Sequence, residues 1–263
     1  LVFRKNPACL LSLVVAALAG PALAQDAEAL LRDADRYRTG ADNLQVDTLV
    51  QAYASDGTLD KERRYTVFAQ SDRRTLVLMQ STAEQGQKVL MLGDDFWLLM
   101  PSSQRPLRIT PMQKLLGDAS TGDIATMRWS GDYSATLVGL EPCADATVPT
   151  GAAPSTQATL PTSCYHLQLQ ATRKGVTYQR IELWLGQQRH EPVRAQLYVQ
   201  SDKLAKQALF EVDQTLSSVS AMVLIDQLGK QKQTRIRYLA RKERTVPVEW
   251  LNPMFLARSP VLE

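Results

Sequence analysis

Residue types able to carry out catalysis are few in this chain and are poorly placed to act together. Among 263 residues there are two histidines and three cysteines. His166 sits in a stretch of alternating apolar and polar residues, and His190 in the turn Gly186-Gln187-Gln188-Arg189-His190-Glu191, neither beside a nucleophile motif. Gly-x-Ser-x-Gly, His-Glu-x-x-His, glycine-rich phosphate loops and zinc-type Cys/His spacings are absent. His190-Glu191 reads as a solvated turn. Asp94-Asp95 resembles half of a cation site, but hairpin-turn chemistry accounts for it more simply. No catalytic residue, metal ligand or cofactor is assigned, and the chain reads as a binding protein and not as an enzyme.

Residues 1–24 read as a secretory leader. Arg4 and Lys5 precede an apolar run over 8–19, and Ala22-Leu23-Ala24 offers a cleavage site before Gln25. That run is shorter than the roughly twenty residues a membrane span needs, so the product is expected to be soluble and periplasmic, with one domain over 25–263. Cys9 stands near the start of the apolar run, whereas a lipidated cysteine belongs just after it. Cys143 and Cys164 remain, and in an exported protein they are most simply a disulfide. They bracket a segment rich in Ala, Thr, Pro and Ser, a pinned loop whose closure stabilises by roughly 3 kcal/mol in the chain-entropy model.

Of 30 Lys and Arg, Arg4 and Lys5 leave with the leader, so 28 basic residues face 27 acidic ones. A balance so near neutrality argues against nucleic acid as a partner. The cluster Arg235, Arg237, Arg241, Lys242 and Arg244 reads as a solvated strand face and turn.

Apolar surface is the remaining resource. An amphipathic helix is predicted over 27–38 from Ala27, Leu30, Leu31, Ala34 and Tyr37. The period then changes to two, with strands predicted at 44–52, 64–70, 75–81, 87–92 and 96–100. After an interruption, strands follow at 133–140, 165–171, 177–185, 193–200, 208–214, 219–226 and 233–239. Tight turns between short strands indicate one antiparallel, strongly curved sheet of about eleven strands, mainly β in class, with a few short helices. Over 111–129 the strand pattern fails, and one or two short helices are predicted around Gly117. Met112, Leu115, Leu116, Ile124, Met127 and Trp129 from this insert, with Leu76, Leu78, Trp97 and Leu99 from the strands, are the candidate cavity and lid. Methionine and tryptophan suit flexible apolar ligands.

The stretch Gly86-Gln87-Lys88-Val89-Leu90-Met91-Leu92-Gly93-Asp94-Asp95-Phe96-Trp97-Leu98-Leu99-Met100-Pro101, then Pro106-Leu107-Arg108-Ile109 and Leu116-Gly117-Asp118, resembles the outer-membrane lipoprotein-sorting family related to the periplasmic carrier LolA. The order of leader, helix, meander, helical insert and further strands extends the likeness over nearly all of 25–263. The resemblance implies an incomplete β-barrel closed by helices, whose hollow carries the acyl chains of a lipoprotein or other lipid to the outer membrane. An inner-membrane transporter and an outer-membrane acceptor are the implied partners. In that family an arginine near the third strand holds the lid to the barrel. Arg73 or Arg74 stands in that region without the following proline, and the role is assigned to neither. The Cys143–Cys164 loop departs from the minimal carrier. The alternative is an envelope sensor or adaptor that docks a partner through the tail Val246, Trp250, Pro253, Met254 and Phe255; otherwise that tail is a cap on the barrel.

Overall fold

The computed structural model describes residues 26–39, 41–103, 105–143, 161–229 and 232–258. The expected leader and the segment 144–160 lie outside these residues.

Helix α1 (Ala27–Arg38) forms where the apolar spacing predicts it, and it buries Leu30, Leu31 and Ala34. Asp26 caps it by accepting the Glu28 N–H at 3.0 Å, while Arg36 and Arg38 in the last turn suit the helix dipole. Strands β1 (Leu44–Tyr53), β2 (Leu59–Gln70), β3 (Arg74–Met79), β4 (Lys88–Leu92), β5 (Asp95–Leu99) and β6 (Leu107–Ile109) make one meander. A small hairpin, β7 (Lys114–Leu116) and β8 (Ala119–Ser120), leads into helix α2 (Thr121–Ala125). The second meander runs through β9 (Tyr133–Pro142), β10 (Ser163–Ala171), β11 (Arg180–Gly186), β12 (Pro192–Tyr198), β13 (Leu204–Asp213), β14 (Ser218–Asp226) and β15 (Gln233–Glu243). Pairing of β15 with β1, Val50 opposite Ile236, fuses both meanders into one antiparallel sheet of 13 strands. Its edges are β6 and β9, so the barrel is not closed.

The expected single open antiparallel sheet with a few short helices is what forms, with 13 strands where about eleven or twelve are predicted. Of the one or two short helices predicted around Gly117, one forms among the described residues, α2, while the residues before Gly117 make a turn followed by β7. The cause is Gly117, whose φ of +56° turns the chain sharply where a helix would continue. A Cβ there would lie 2.5 Å from Thr234 Oγ1, so only glycine fits.

The curl of the sheet is visible at one rim. The β4–β5 turn meets the loop between β10 and β11, strands far apart in the order, so closely that a Cβ on Gly175 would fall 2.3 Å from Asp94 Cα. Each face carries its own core. The inner face packs residues of both meanders against α1 and α2 in one cluster that includes Leu31, Val77, Phe96, Leu183, Phe210 and Leu224. On the outer face of β2–β5, Phe68, Leu76, Leu78, Leu90 and Leu99 are covered by the C-terminal segment through Val246, Leu251 and Leu256. Trp250 meets Phe68 edge-on at 5.6 Å. The tail is thus a cap on the sheet. Arg235 is buried beside Glu211, its Nη2 donating at 2.6 Å, and is not part of a solvated face.

Candidate functional site

The candidate site is the inner face together with the segment 114–130 that crosses it as a plug. Ser120 and Asp123 form a capping box at the start of α2: the Asp123 carboxylate accepts the Ser120 N–H at 2.8 Å and Ser120 Oγ accepts the Asp123 N–H at 3.3 Å. This fixes a helix too short to persist alone. Ile124, Ala125, Met127 and Trp129 are buried in the inner cluster, and the Trp129 ring meets Phe210 edge-on at 5.7 Å.

Polar contacts seat the plug on two sides. Toward α1, Asp35 accepts the Trp129 N–H at 2.9 Å, the Ser130 N–H at 2.8 Å and the Ser130 hydroxyl at 2.6 Å. Arg38 donates to the Thr126 carbonyl at 3.1 Å, and its guanidinium lies 3.8 Å above the Trp129 ring. Toward the sheet, Lys206 Nζ of β13 donates to Asp123 at 2.6 Å and the Tyr178 hydroxyl donates to it at 2.8 Å. Burial, then the Asp123 charge, pushes the Tyr178 phenol well above its ordinary pKa, so it stays a donor. Plug and α1 are therefore tied to each other, and the plug is tied to the sheet side through the buried Asp123 contacts. Beneath the plug, between Trp129, Tyr178 and Phe210, a void of about 40 Å³ remains.

At the rim, Arg73 spans three loops. Its Nε donates to the Gly93 carbonyl and its Nη2 to the Gly175 carbonyl, each at 2.9 Å, while Nη1 pairs with buried Asp132 just past the plug. Arg74 instead donates to the Ser71 carbonyl at 3.2 Å and faces exposed Asp72. Of the two arginines, Arg73 makes the long-range contacts. A cleft of about 270 Å³ runs beside it, between Leu44, Met91, Met127 and Arg128.

The candidate residues divide between two faces. Leu115, Leu116, Ile124, Met127 and Trp129 share the inner cluster. Leu76, Leu78, Trp97 and Leu99 lie on the outer face under the tail, and Met112 stands in an exposed turn. The strand neighbours Val77, Met79, Phe96 and Leu98 face the plug instead. β3 is buried on both faces, so its apolar run carried no sign of which residues point inward. Sequence reasoning also missed Lys206 and Tyr178. The only local signal was Ser120-x-x-Asp123, which reads as a cap but not as a buried ion pair.

Both imidazoles sit in polar rivets. His166 lies between Glu141 at 3.0 Å and Glu182 at 2.9 Å and stacks on Trp184, whose ring also carries Arg194 at 3.6 Å. The Cys143–Cys164 disulfide, bridging a sequence separation of 21, is buried in a cluster with Trp184. His190 Nδ1 lies 2.8 Å from Asp33 and joins the β11–β12 turn to α1. Among the described residues no cluster of three or more His, Cys, Asp or Glu is arranged to hold a metal, and no helix is long and apolar enough to cross a membrane.

A model for a family of uncharacterized proteins matches residues 71–258. No curated protein matches the chain. A LolA superfamily protein from Nitrosomonas europaea is similar at 28% identity and a TM-score of 0.74, covering 86% of this chain and 97% of its own. A domain described as outer membrane lipoprotein-sorting, from Vibrio parahaemolyticus, has a TM-score of 0.65 at 15% identity over 88% of this chain and 98% of its own. A DUF1329 family protein from Desulfovibrio piger has the same TM-score at 17% identity, over 86% and 97%. The two last likenesses concern the fold alone.

Proposed function

The chain belongs to the LolA superfamily and to the family of uncharacterized proteins whose model matches residues 71–258; on that premise we propose that it is a periplasmic carrier that shields the acyl chains of a lipoprotein or another lipid. The observation that carries the proposal is the plug. An open, curled sheet lines one face with apolar side chains from both meanders, and a short insert held by a handful of polar anchors fills the space between them.

In this reading the acyl chain takes the place of the plug. Burying each methylene stabilises by about 0.8 kcal/mol. Against this stand the exposure of Ile124, Met127 and Trp129 and the loss of the Asp123–Lys206 contact. Opposing terms of similar size make loading a balanced exchange, which suits a carrier that must release its cargo. The void of about 40 Å³ beneath the plug is far below the roughly 300–1,000 Å³ of ligand pockets, and the cleft beside Arg73 reaches about 270 Å³, so in this account a full acyl chain needs the plug to move. The buried disulfide agrees with an oxidising compartment outside the cytosol. Donor and acceptor would be membrane proteins on either side of that compartment. The adaptor alternative would rely on the C-terminal tail, but Trp250, Leu251 and Leu256 are turned onto the outer cluster, which favours the carrier.

Protein purified without detergent and examined by mass spectrometry under non-denaturing conditions should carry lipid, and a fluorescent acyl probe should be displaced from it saturably. No bound lipid together with no saturable probe binding would overturn the proposal.

A further inference from the structure

The cavity on the outer face is separate from the plugged interior and has a different chemistry. It holds about 390 Å³ between Leu76 and Lys88 of the sheet and Glu249, Trp250, Phe255, Leu256 and Arg258 of the C-terminal segment. Lys88 projects into it from β4, on the same face as Leu78 and Leu99 opposite it in the register. The residue is 95% buried, with 5% of its surface exposed. Its Nζ donates to the Leu256 carbonyl at 2.9 Å and the Arg258 carbonyl at 3.0 Å. An ammonium has three donors, and the described residues supply acceptors for two of them. Among the described residues no carboxylate pairs with Lys88: burial is the one cause that shifts its ammonium, downward.

Among the described residues this buried cation is held by carbonyl dipoles alone, which is costly, and an anion at the third proton would offset much of that cost. Charge and shape narrow the choice of anion. Of the charged lining residues only Lys88 is buried, Glu249 and Arg258 being exposed, so the pocket's interior carries one positive charge, which matches a singly charged carboxylate better than a doubly charged phosphate. The remaining lining is aliphatic at Leu76 and Leu256 and aromatic at Trp250 and Phe255, suited to a short hydrocarbon tail. We propose that this outer pocket binds a medium-chain alkyl carboxylate, with Lys88 on its head group and the C-terminal segment folded over its tail. The site is independent of the carrier reading, since none of its lining belongs to the inner face.

The test titrates the whole protein by calorimetry with sodium decanoate below its micelle concentration, with decanol as the uncharged chain, and with acetate and inorganic phosphate as charges lacking a chain. Decanoate should bind saturably at one site, with decanol, acetate and phosphate each weaker by about tenfold or more, the scale of one charge-assisted hydrogen bond. Lys88→Met should weaken decanoate by a similar factor. Binding that persists in Lys88→Met, or no saturable binding at all, overturns the proposal. Should Lys88→Met loosen the tail, seen as new cleavage by trypsin after Arg244, the ¹⁵N signal of the Lys88 ammonium in the unaltered protein decides. A shift with decanoate and none with decanol supports the site, and no shift overturns it. Decanoate binding that disappears when the plug is covalently fixed to the sheet belongs to the inner face; that result overturns the outer site while leaving the carrier reading intact.

Discussion

Replacing Lys206 by methionine isolates the contact that seats the plug on the sheet. Lys206 and Asp123 side chains are 5% and 3% exposed and lie 2.6 Å apart. Methionine keeps the length and apolar stem of lysine but leaves the Asp123 carboxylate buried with the Tyr178 hydroxyl and the Ser120 donors as its remaining partners. Breaking a buried pair by removing one member costs about 3–5 kcal/mol, and the surviving hydrogen bonds place this case near 3 kcal/mol. At about 2–4 °C per kcal/mol for a domain of this size, the melting midpoint should fall by roughly 6–12 °C. Urea and thermal unfolding, followed by circular dichroism and tryptophan fluorescence, measure it. Asp123→Asn combined with Lys206→Met removes the unpaired charge and should recover about 1–2 kcal/mol of the loss, a non-additivity typical of residues in contact. A loss below about 1 kcal/mol with additive effects in the double variant would refute the reasoning, since it would mean that the pair is solvated and does not anchor α2.

Other perturbations test other joints. Arg73→Ala strands buried Asp132 and frees the Gly93 and Gly175 carbonyls, and unfolding measurements should show a loss of about 2–4 kcal/mol. Arg73→Lys should rescue little of that loss, because one ammonium cannot reproduce a fork directed at three acceptors. The Cys143→Ser, Cys164→Ser double variant should lose roughly 3 kcal/mol in denaturant titrations. The hydrogen bond from the Trp184 indole, and then that from His166, holds the Glu141 carboxyl below its ordinary range. A depressed carboxyl stabilises the fold above its unfolded value of about 4.3 and loses that contribution as pH falls through the folded value. The difference in urea midpoint between the parent and Glu141→Gln should therefore shrink as the pH is lowered from 6 to 3, and a difference constant over that range would contradict the assignment.

Much of the fold was legible because its signals are local. α1 follows from apolar spacing and an aspartate cap, and β10 from the alternation of Leu167 and Leu169 with His166, Gln168 and Gln170. Fusion of the two meanders into one sheet depends on β1 meeting β15, a pairing across nearly the whole chain that no local pattern encodes. The short strands β7 and β8 went unseen because Met112, Leu115 and Leu116 imitate helical spacing while a left-handed glycine breaks the run. The site was half legible. Ile124, Met127 and Trp129 announce a buried insert, but Leu76 and Trp97 could be assigned to a face only once the tail was seen covering the outside of the sheet. Lys206 sits in a strand that otherwise looks ordinary, and nothing near it in sequence names Asp123 as its partner.

The central claim is that hydrocarbon enters where the plug now lies. A Cβ placed on Gly122 of α2 would lie 3.1 Å from the Thr177 Cβ in the loop before β11, within a few tenths of an ångström of the roughly 3.5–4.5 Å that a disulfide spans. Gly122→Cys with Thr177→Cys should therefore lock the plug to the sheet when oxidised and free it when reduced. Uptake of a fluorescent acyl probe should be abolished by oxidation and restored by reduction, with the parent protein unaffected by the same treatments. Equal uptake by the locked and unlocked forms would contradict the account.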